Sequence, residues 1–435
     1  MGAYFSCRKK KKPGEQPNIN MSREFIRSLN NIINSGNSGN QNIKSLDNID
    51  NCINQNQESI EYYKNLLIQK DKEIQKMKEE YEQKIKILEI SEPILVGLDN
   101  IGASCYMNAI FQCLSNTTRL TEYFLKKYKY NKEDKNKTIS NEYYNLIKNL
   151  WNKENDKKSI SPNSFNNILT EENPLLIGGS SNEPKELISF LLERFHQELN
   201  LKKIEEKKVK LRFTTPTEQL DEKMTLNNFL TEFNDNYHSI ISDLFYGVLK
   251  TQKKCQGCNN IIYNFNVFSF LEFPLEQVNK YCFNKGLKTN EGINIYECFN
   301  YYGNMEMMTG ENQIHCEICQ EQCDALYRTS LYSSPNYLII IVNRGKRIIN
   351  ECNVIFPVKL NILNYVNYKD GNTYYELYAV ICHIGPSSTN GQFIAYCKNK
   401  INKKWYKYDD SIVTPCNKKD EYKNGMPYIL FYQAL

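Results

Sequence analysis

A chain of 435 residues and 51.1 kDa has room for two or three domains and a sizeable core. Hydrophobic residues make up 40%, with 31 Tyr and 20 Phe, so most of the chain folds, and no apolar run nears the ~20 residues of a membrane-spanning helix. Formal net charge is +5, and Arg8 to Lys12 alone carry five positive charges; the neutral remainder argues against a nucleic-acid-binding body.

Targeting signals crowd the N-terminus. Gly2 and Ser6 fit the M-G-x-x-x-[ST] pattern of N-myristoylation, and Cys7, a candidate for palmitoylation, adjoins the basic run. One acyl chain holds a membrane only marginally, and a second chain or attraction to anionic lipid completes an anchor. Residues 1–12 are therefore expected to tether the protein to the cytoplasmic face of a membrane; the alternative is an unmodified, solvated basic terminus. Fifteen cysteines without an apolar signal-peptide core point to a reducing, cytoplasmic compartment. Residues 13–56, rich in Asn, Ser, Gly and Gln, bury too little to fold and read as a disordered linker. From 57 to 91 the sequence is Glu/Lys-rich and free of Gly and Pro. A row that starts just before it, Ile53, Ile60, Leu67, Ile74, Tyr81 and Leu88, recurs every seven residues, predicting one long helix. The second heptad row, Tyr63, Lys70, Met77 and Lys84, is only half apolar. Self-association as a short coiled coil thus competes with a solvated helix packed on the body.

Pro93 ends that helix, and 94–434 forms a mixed body. Helical periodicity in Asn108–Leu114, Asn141–Trp151 and Leu187–Leu199 precedes β-rich runs at Phe265–Phe273, Tyr337–Val342, Tyr375–Cys382, Phe393–Cys397 and Tyr428–Tyr432. Helices first and strands later predict an α+β fold, a helical half against an antiparallel sheet with a cleft between them. The polar stretches Lys126–Ser140 and Lys202–Asp235 read as surface excursions.

The segment from Gly97 to Asn108, GLDNIGASCYMN, is a small-residue turn entering an apolar helix, with Cys105 at the junction. Free N–H groups and partial positive charge at such a terminus stabilise a thiolate, which predicts a lowered pKa and a nucleophile; a structural cysteine is the plain alternative. Asn100 stands ready to offer its amide to an oxyanion. This segment resembles the cysteine box of the ubiquitin-specific proteases, the papain-like deubiquitinases, whose pattern is G-L-x-N-x-G-[NA]-[TS]-C-Y-M-N. The resemblance implies that Cys105 is the nucleophile and Asn100 the oxyanion-stabilising amide, and it continues through Gln112 and Leu114. Glu186, Phe190 to Leu192 and His196 to Leu199 resemble the family's E-F-x-x-x-L-L…H-x-E-L helix, with departures at Pro184 and Leu187. Ser239 to Gly247 resembles the strand entering its zinc module.

Cys255-Gln-Gly-Cys258 and Cys316-Glu-Ile-Cys319 are two C-x-x-C knuckles, each presenting two thiolates. Together they suit a closed structural Zn2+ site, against the alternative of four free thiols. The family's fingers subdomain, about 248–330 here, carries two such pairs, which favours zinc. Cys323 and His315 flank the second pair, as alternative ligands or as solvent-facing or packing residues.

Pro335 to Arg344 and Val354 to Pro357 resemble the family's P-x-x-L-I-I-x-L-K-R-F…V-x-F-P. Tyr375 to Gly385, Gly391 to Tyr396 and Trp405 to Asp410 resemble its histidine box, G-H-Y-x-A-Y. The family's general base is the His of that pattern; here the position is Gln392, which has no nitrogen able to take a proton. Asp409 matches the residue that orients the base. Of the four histidines, His383 stands on the strand facing Gln392 and is either a substitute base or a support for the intervening loop. The resemblance thus implies a papain-like fold of helical thumb, β palm and zinc-ribbon fingers that recognises ubiquitin or ubiquitinated proteins. Isopeptide hydrolysis through Cys105 is expected to be weak or absent. The competing readings are a fully active deubiquitinase using His383, and a membrane-tethered, non-catalytic ubiquitin-binding scaffold.

Overall fold

The computed structural model describes residues 65–79 and 93–435, apart from 155, 177–183, 202–220, 288–290, 346–351, 370, 388–389, 417–420 and 424. The expected anchor at 1–12, with Gly2 and Cys7, and the linker at 13–56 lie outside the described residues. Two compact units divide the chain, Met1–Lys86 and Ile87–Leu435. Of the first, a helix over 65–79 is described, with Leu67, Ile74 and Met77 exposed and Lys70 Nζ 2.7 Å from Glu73 on its surface. The remainder of the expected 57–91 helix lies outside the described residues. No helix among them is long and apolar enough to cross a membrane.

An eight-stranded sheet organises the second unit. Its order is Ile412–Pro415, Trp405–Asp409, Asn390–Lys398, Tyr374–Ser387, Met426–Ala434, Tyr337–Asn343 and Leu271–Pro274, with Lys359–Asn361 also paired to Tyr374–Ser387. Tyr337–Val342 reads as an unbroken apolar run because both sides of this strand are covered. Tyr337, Ile339 and Ile341 face one core and Leu338, Ile340 and Val342 the other. The first core holds the helices Cys105–Ser115, Thr138–Leu150, Pro184–Leu199 and Ile240–Phe245; the second holds Leu275–Asn284 and Ile295–Tyr302. Two details differ from expectation. Leu271–Pro274 runs parallel to Tyr337–Asn343, so the sheet is mixed, and short helices cover its second face as well as the first.

The helix Cys105–Ser115 is buried from Tyr106 to Ser115, which explains why it is apolar nearly all round. Its polar side chains tie it to the entering strand. Gln112 Nε2 donates to Val96 O at 2.9 Å, and Asn108 Nδ2 to Leu98 O at 3.3 Å. Helix Thr138–Leu150 is capped from outside. The buried Glu198 carboxylate accepts from Ile139 N at 3.2 Å and Ser140 N at 2.7 Å, filling two of the orphan N–H groups of a helix start.

Ser239 to Gly247 is corrected to a six-residue helix, Ile240–Phe245, before the strand Gly247–Cys255; Ser239 and Ser242 close a reciprocal capping box that ends any strand there. Within the polar stretch Lys202–Asp235, Glu222–Asn236 is helical rather than a loop. Asp221 caps it by accepting from Met224 N at 2.8 Å, and Phe229 packs on Phe265. A four-stranded sheet, in the order Ile261–Phe268, Gly247–Cys255, Ala325–Ser333 and Met305–Met308, leads into the first cysteine knuckle at Cys255, and the second knuckle joins the strands of a separate hairpin, Ile314–Cys316 and Glu321–Cys323.

Candidate active site

Short-range geometry brings Cys105 to its neighbours. Gly97–Leu98 pairs with Ser159–Ile160 and passes so close to Ser411 that a Cβ on Gly97 would lie 2.4 Å from the Ser411 carbonyl oxygen. Leu98 N–H then donates to Asp410 O at 2.9 Å. Gly102 adopts φ +106°, a left-handed conformation that glycine alone adopts without strain, and Ala103 follows at φ +47°. The chain thereby turns sharply into the helix that Cys105 begins.

Asp410 is the hub of the site. Its Oδ1 accepts from Asn108 Nδ2 at 2.8 Å, and its Oδ2 accepts from Asn100 Nδ2 at 2.9 Å and Gln392 Nε2 at 3.0 Å. Gln392 Nε2 also donates to Asp409 Oδ1 at 2.5 Å, and Lys407 Nζ lies 3.0 Å from Asp409 Oδ2. Carboxylates only accept, so the amide of Gln392 turns its NH2 to both aspartates. Gln392 thus reproduces the donor role that a histidine would play toward Asp409 and supplies no basic nitrogen. Asn100 Oδ1 accepts from Gly102 N at 3.0 Å, so the oxyanion candidate is held at both ends of its amide.

The Cys105 thiol, half-buried, has its pKa raised above the ordinary value. Burial pushes it up most, the Phe393 N–H pulls it down, the Asp410 charge raises it, and the N–H groups of Tyr106 and Cys105 lower it. This overturns the expectation of a lowered pKa. The helix-terminal N–H groups act in the anticipated direction, but desolvation with a neighbouring carboxylate outweighs them. No imidazole figures among these influences. His196 bonds Ser239 at 2.7 Å, His238 lies 3.9 Å from Asp243, and His315 is exposed beside a knuckle. His383 is buried against Phe393 and Tyr428, with ring centroids 5.0 and 6.0 Å away.

Strand register explains the placing of His383. It pairs with Phe393, whereas Gln392 pairs with Ile384, so alternation projects the His383 and Gln392 side chains to opposite faces. A Cβ on Gly391 would lie 2.6 Å from His383 Nε2, so the ring underpins the loop. Burial and Arg344 both lower the His383 pKa. The sequence reading assigned no role to Asp410, Asn108 or Gly97, although all three sit inside the quoted motifs. The doubled aspartate of Asp409-Asp410 was the available signal.

The sulfurs of Cys255, Cys258, Cys316 and Cys319 all lie within 4.8 Å of one another, with Cys255 to Cys319 at 3.9 Å and Cys258 to Cys316 at 3.6 Å. A tetrahedral ion with ~2.3 Å metal–sulfur bonds sets its thiolates about 3.8 Å apart, so this cluster can hold one. Asn259 and Gln320, at φ +61° and +58°, close the two knuckle turns.

The family model for ubiquitin carboxyl-terminal hydrolase matches residues 96–432. The ubiquitin carboxyl-terminal hydrolase Usp2 of Drosophila melanogaster is 26% identical over 347 residues, covering 78% of this chain and 35% of the relative. Hydrolase 4 of Saccharomyces cerevisiae is 28% identical over 377 residues, covering 78% and 39%, and human hydrolase 21 is 26% identical over 361, covering 78% and 61%. The chain therefore spans between about a third and three-fifths of these relatives' length. Among solved structures, a chain of the yeast SAGA DUB module superposes with a TM-score of 0.56 at 21% identity, covering 78% of this chain and 68% of that one. A SAGA DUB module bound to monoubiquitin superposes equally well, at 0.56. With the family model spanning the sheet, the helical half and the cysteine knuckles alike, the chain belongs to the ubiquitin carboxyl-terminal hydrolases of the ubiquitin-specific protease type.

Proposed function

We propose that this protein captures ubiquitin or ubiquitinated proteins and hydrolyses the isopeptide bond at the ubiquitin C-terminus weakly or not at all. The observation that carries the reading is the Gln392 amide, turned onto Asp409 and Asp410 where a proton acceptor for the Cys105 thiol would be needed, while burial pushes that thiol's pKa up. For hydrolysis the Cys105 Sγ must lose a proton, attack the carbonyl of the C-terminal Gly of ubiquitin, and have the leaving lysine amine protonated. Gln392 can do neither proton transfer. Asn100 Nδ2 retains a second N–H beyond its bond to Asp410, able to steady an oxyanion, so a thiolate formed by solvent would still react slowly. His383 would have to leave its packing on Gly391 and Phe393 to serve as base, which disfavours the fully active alternative.

Zinc fits the four-thiol cluster, and the Cys255, Cys258, Cys316 and Cys319 thiolates would hold it as a structural ion that ties the knuckle of the four-stranded sheet to that of the hairpin. Acylation at Gly2 and Cys7 with the basic run would place this capture activity on the cytoplasmic face of a membrane, making it a tethered scaffold. The test is incubation with a ubiquitin C-terminal electrophilic probe, hydrolysis of a fluorogenic ubiquitin amide, and calorimetric ubiquitin binding, with Cys105→Ser as control. Binding with negligible turnover is expected. Turnover of ordinary enzyme rate, abolished in Cys105→Ser, would overturn the reading.

A further inference from the structure

A fifth thiol touches the four-cysteine cluster. Cys323, on the strand Glu321–Cys323, pairs with Ile314 two residues before Cys316, so strand alternation puts Cys316 and Cys323 on the same face of this hairpin. It is 8% exposed and shares one buried cluster with Cys255 and Cys316, with Cys258 and Cys319 packed against it. A Cβ built on Gly257 would meet Cys319 Sγ at 3.3 Å, Cys323 Sγ at 3.6 Å and Cys255 Sγ at 3.7 Å. The absent side chain of Gly257 thus leaves one small space onto which three sulfurs converge. Cys323 is not one of the four sulfurs that all lie within 4.8 Å of one another. It stands beside the ligand set without belonging to it.

Structural zinc takes four ligands, and a closed four-thiolate site leaves no open position for a fifth. Cys258 and Cys319 are both partly exposed and each adjoins a knuckle residue of positive φ, whereas Cys255 and Cys316 are buried; of the two exposed ligands, Cys319 is the one that shares the space over Gly257 with Cys323. We propose that Cys323 is a reserve ligand, able to replace Cys319 so that the metal stays four-coordinate when the Cys319 sulfur is taken up by an alkylating electrophile. In this exchange the Cys323 thiol gives up its proton to solvent and bonds the metal as Cys319 departs; no electron moves. The inference rests on the zinc reading above.

The experiment uses the full chain loaded with cobalt, whose thiolate charge-transfer absorption scales with the number of bound thiolates, and with zinc followed by a chromogenic chelator. Wild type is expected to bind one ion. The variant Cys319→Ser should keep one ion and an undiminished charge-transfer band, while Cys319→Ser with Cys323→Ser should lose about a quarter of the band, as expected for one thiolate of four. A band in Cys319→Ser as weak as in the double variant would overturn the proposal. A second measurement avoids variants that lack a primary ligand. Limited alkylation of Cys319, located by mass spectrometry, should leave zinc in wild type as slow to reach the chromogenic chelator as before, and should make its release from Cys323→Ser markedly faster. Equal release from both would refute the exchange, and wild type that binds no metal would remove the zinc reading and this one together.

Discussion

Replacing Gln392 by His is the sharpest test of the site. Gln392 already donates to Asp409 Oδ1 and Asp410 Oδ2 at 2.5 and 3.0 Å, so an imidazole at this position finds an orienting carboxylate in place. One ring N–H would take the bond to Asp409 and fix the tautomer, leaving the other nitrogen as acceptor for the Cys105 proton. General acid–base help is worth roughly 10²–10⁴-fold, or about 3–5 kcal/mol of barrier. The kcat/KM for a fluorogenic ubiquitin amide should therefore rise by roughly that factor in Gln392→His and vanish again when Cys105→Ser is added. The pH profile should change form too. Wild-type reactivity should climb with pH as the raised Cys105 pKa is approached, whereas the variant should reach a plateau near neutrality once the His carries the proton. A variant no faster than wild type would refute the claim that the missing base alone limits turnover. A wild type already as fast as the variant would refute the claim that Gln392 impairs it.

Other outcomes follow from the same geometry. The rate of Cys105 alkylation by iodoacetamide, compared with Cys105→Ser as blank, should still be climbing with pH, by up to about tenfold per unit, at the ordinary thiol pKa near 8.5, because burial raises this thiol's pKa. Gly97→Ala should destabilise by about 1–3 kcal/mol in urea unfolding, since its Cβ would meet the Ser411 backbone oxygen at 2.4 Å. It should also alter Cys105 alkylation by shifting Asp410. Lys400, whose Nζ lies 4.0 Å from the Trp151 ring centroid, is lowered by burial to about 8. The unfolded chain holds that proton up to about 10.5, so this group's contribution to stability rises from pH 8 to 10.5. The difference in urea midpoint between wild type and Lys400→Met should shift across that window in wild type's favour. For the anchor, Gly2→Ala should move the protein from membrane to soluble fractions, and unchanged partitioning would dismiss acylation there.

Much of the site was legible in the residues because its signals are local. The turn from Gly97 to Ser104, the cysteine at a helix start and the two C-x-x-C knuckles are each defined by backbone conformation over a few neighbouring residues. Gly102 at φ +106° is a case where the residue type and the turn are one fact. The apolar run Tyr337–Val342 likewise announced a strand, while the covering of both its faces, with alternate residues feeding separate cores, came only with the fold. The absence of an ionisable residue at 392 needed no coordinates either.

What only the tertiary structure decided are relations between segments distant in sequence. Asp410 meets Asn100 and Asn108 across some three hundred residues, and that hub governs the charge felt by Cys105. The direction of the Cys105 pKa depended on burial against its opposing N–H groups, a balance set by packing that no motif encodes. Register settled the relation of His383 to Gln392, because an offset of one residue in a hairpin sends two side chains to opposite faces. Cys323, four residues beyond Cys319, comes to lie against the four-cysteine cluster only because the hairpin folds it back beside Cys255 and Cys319.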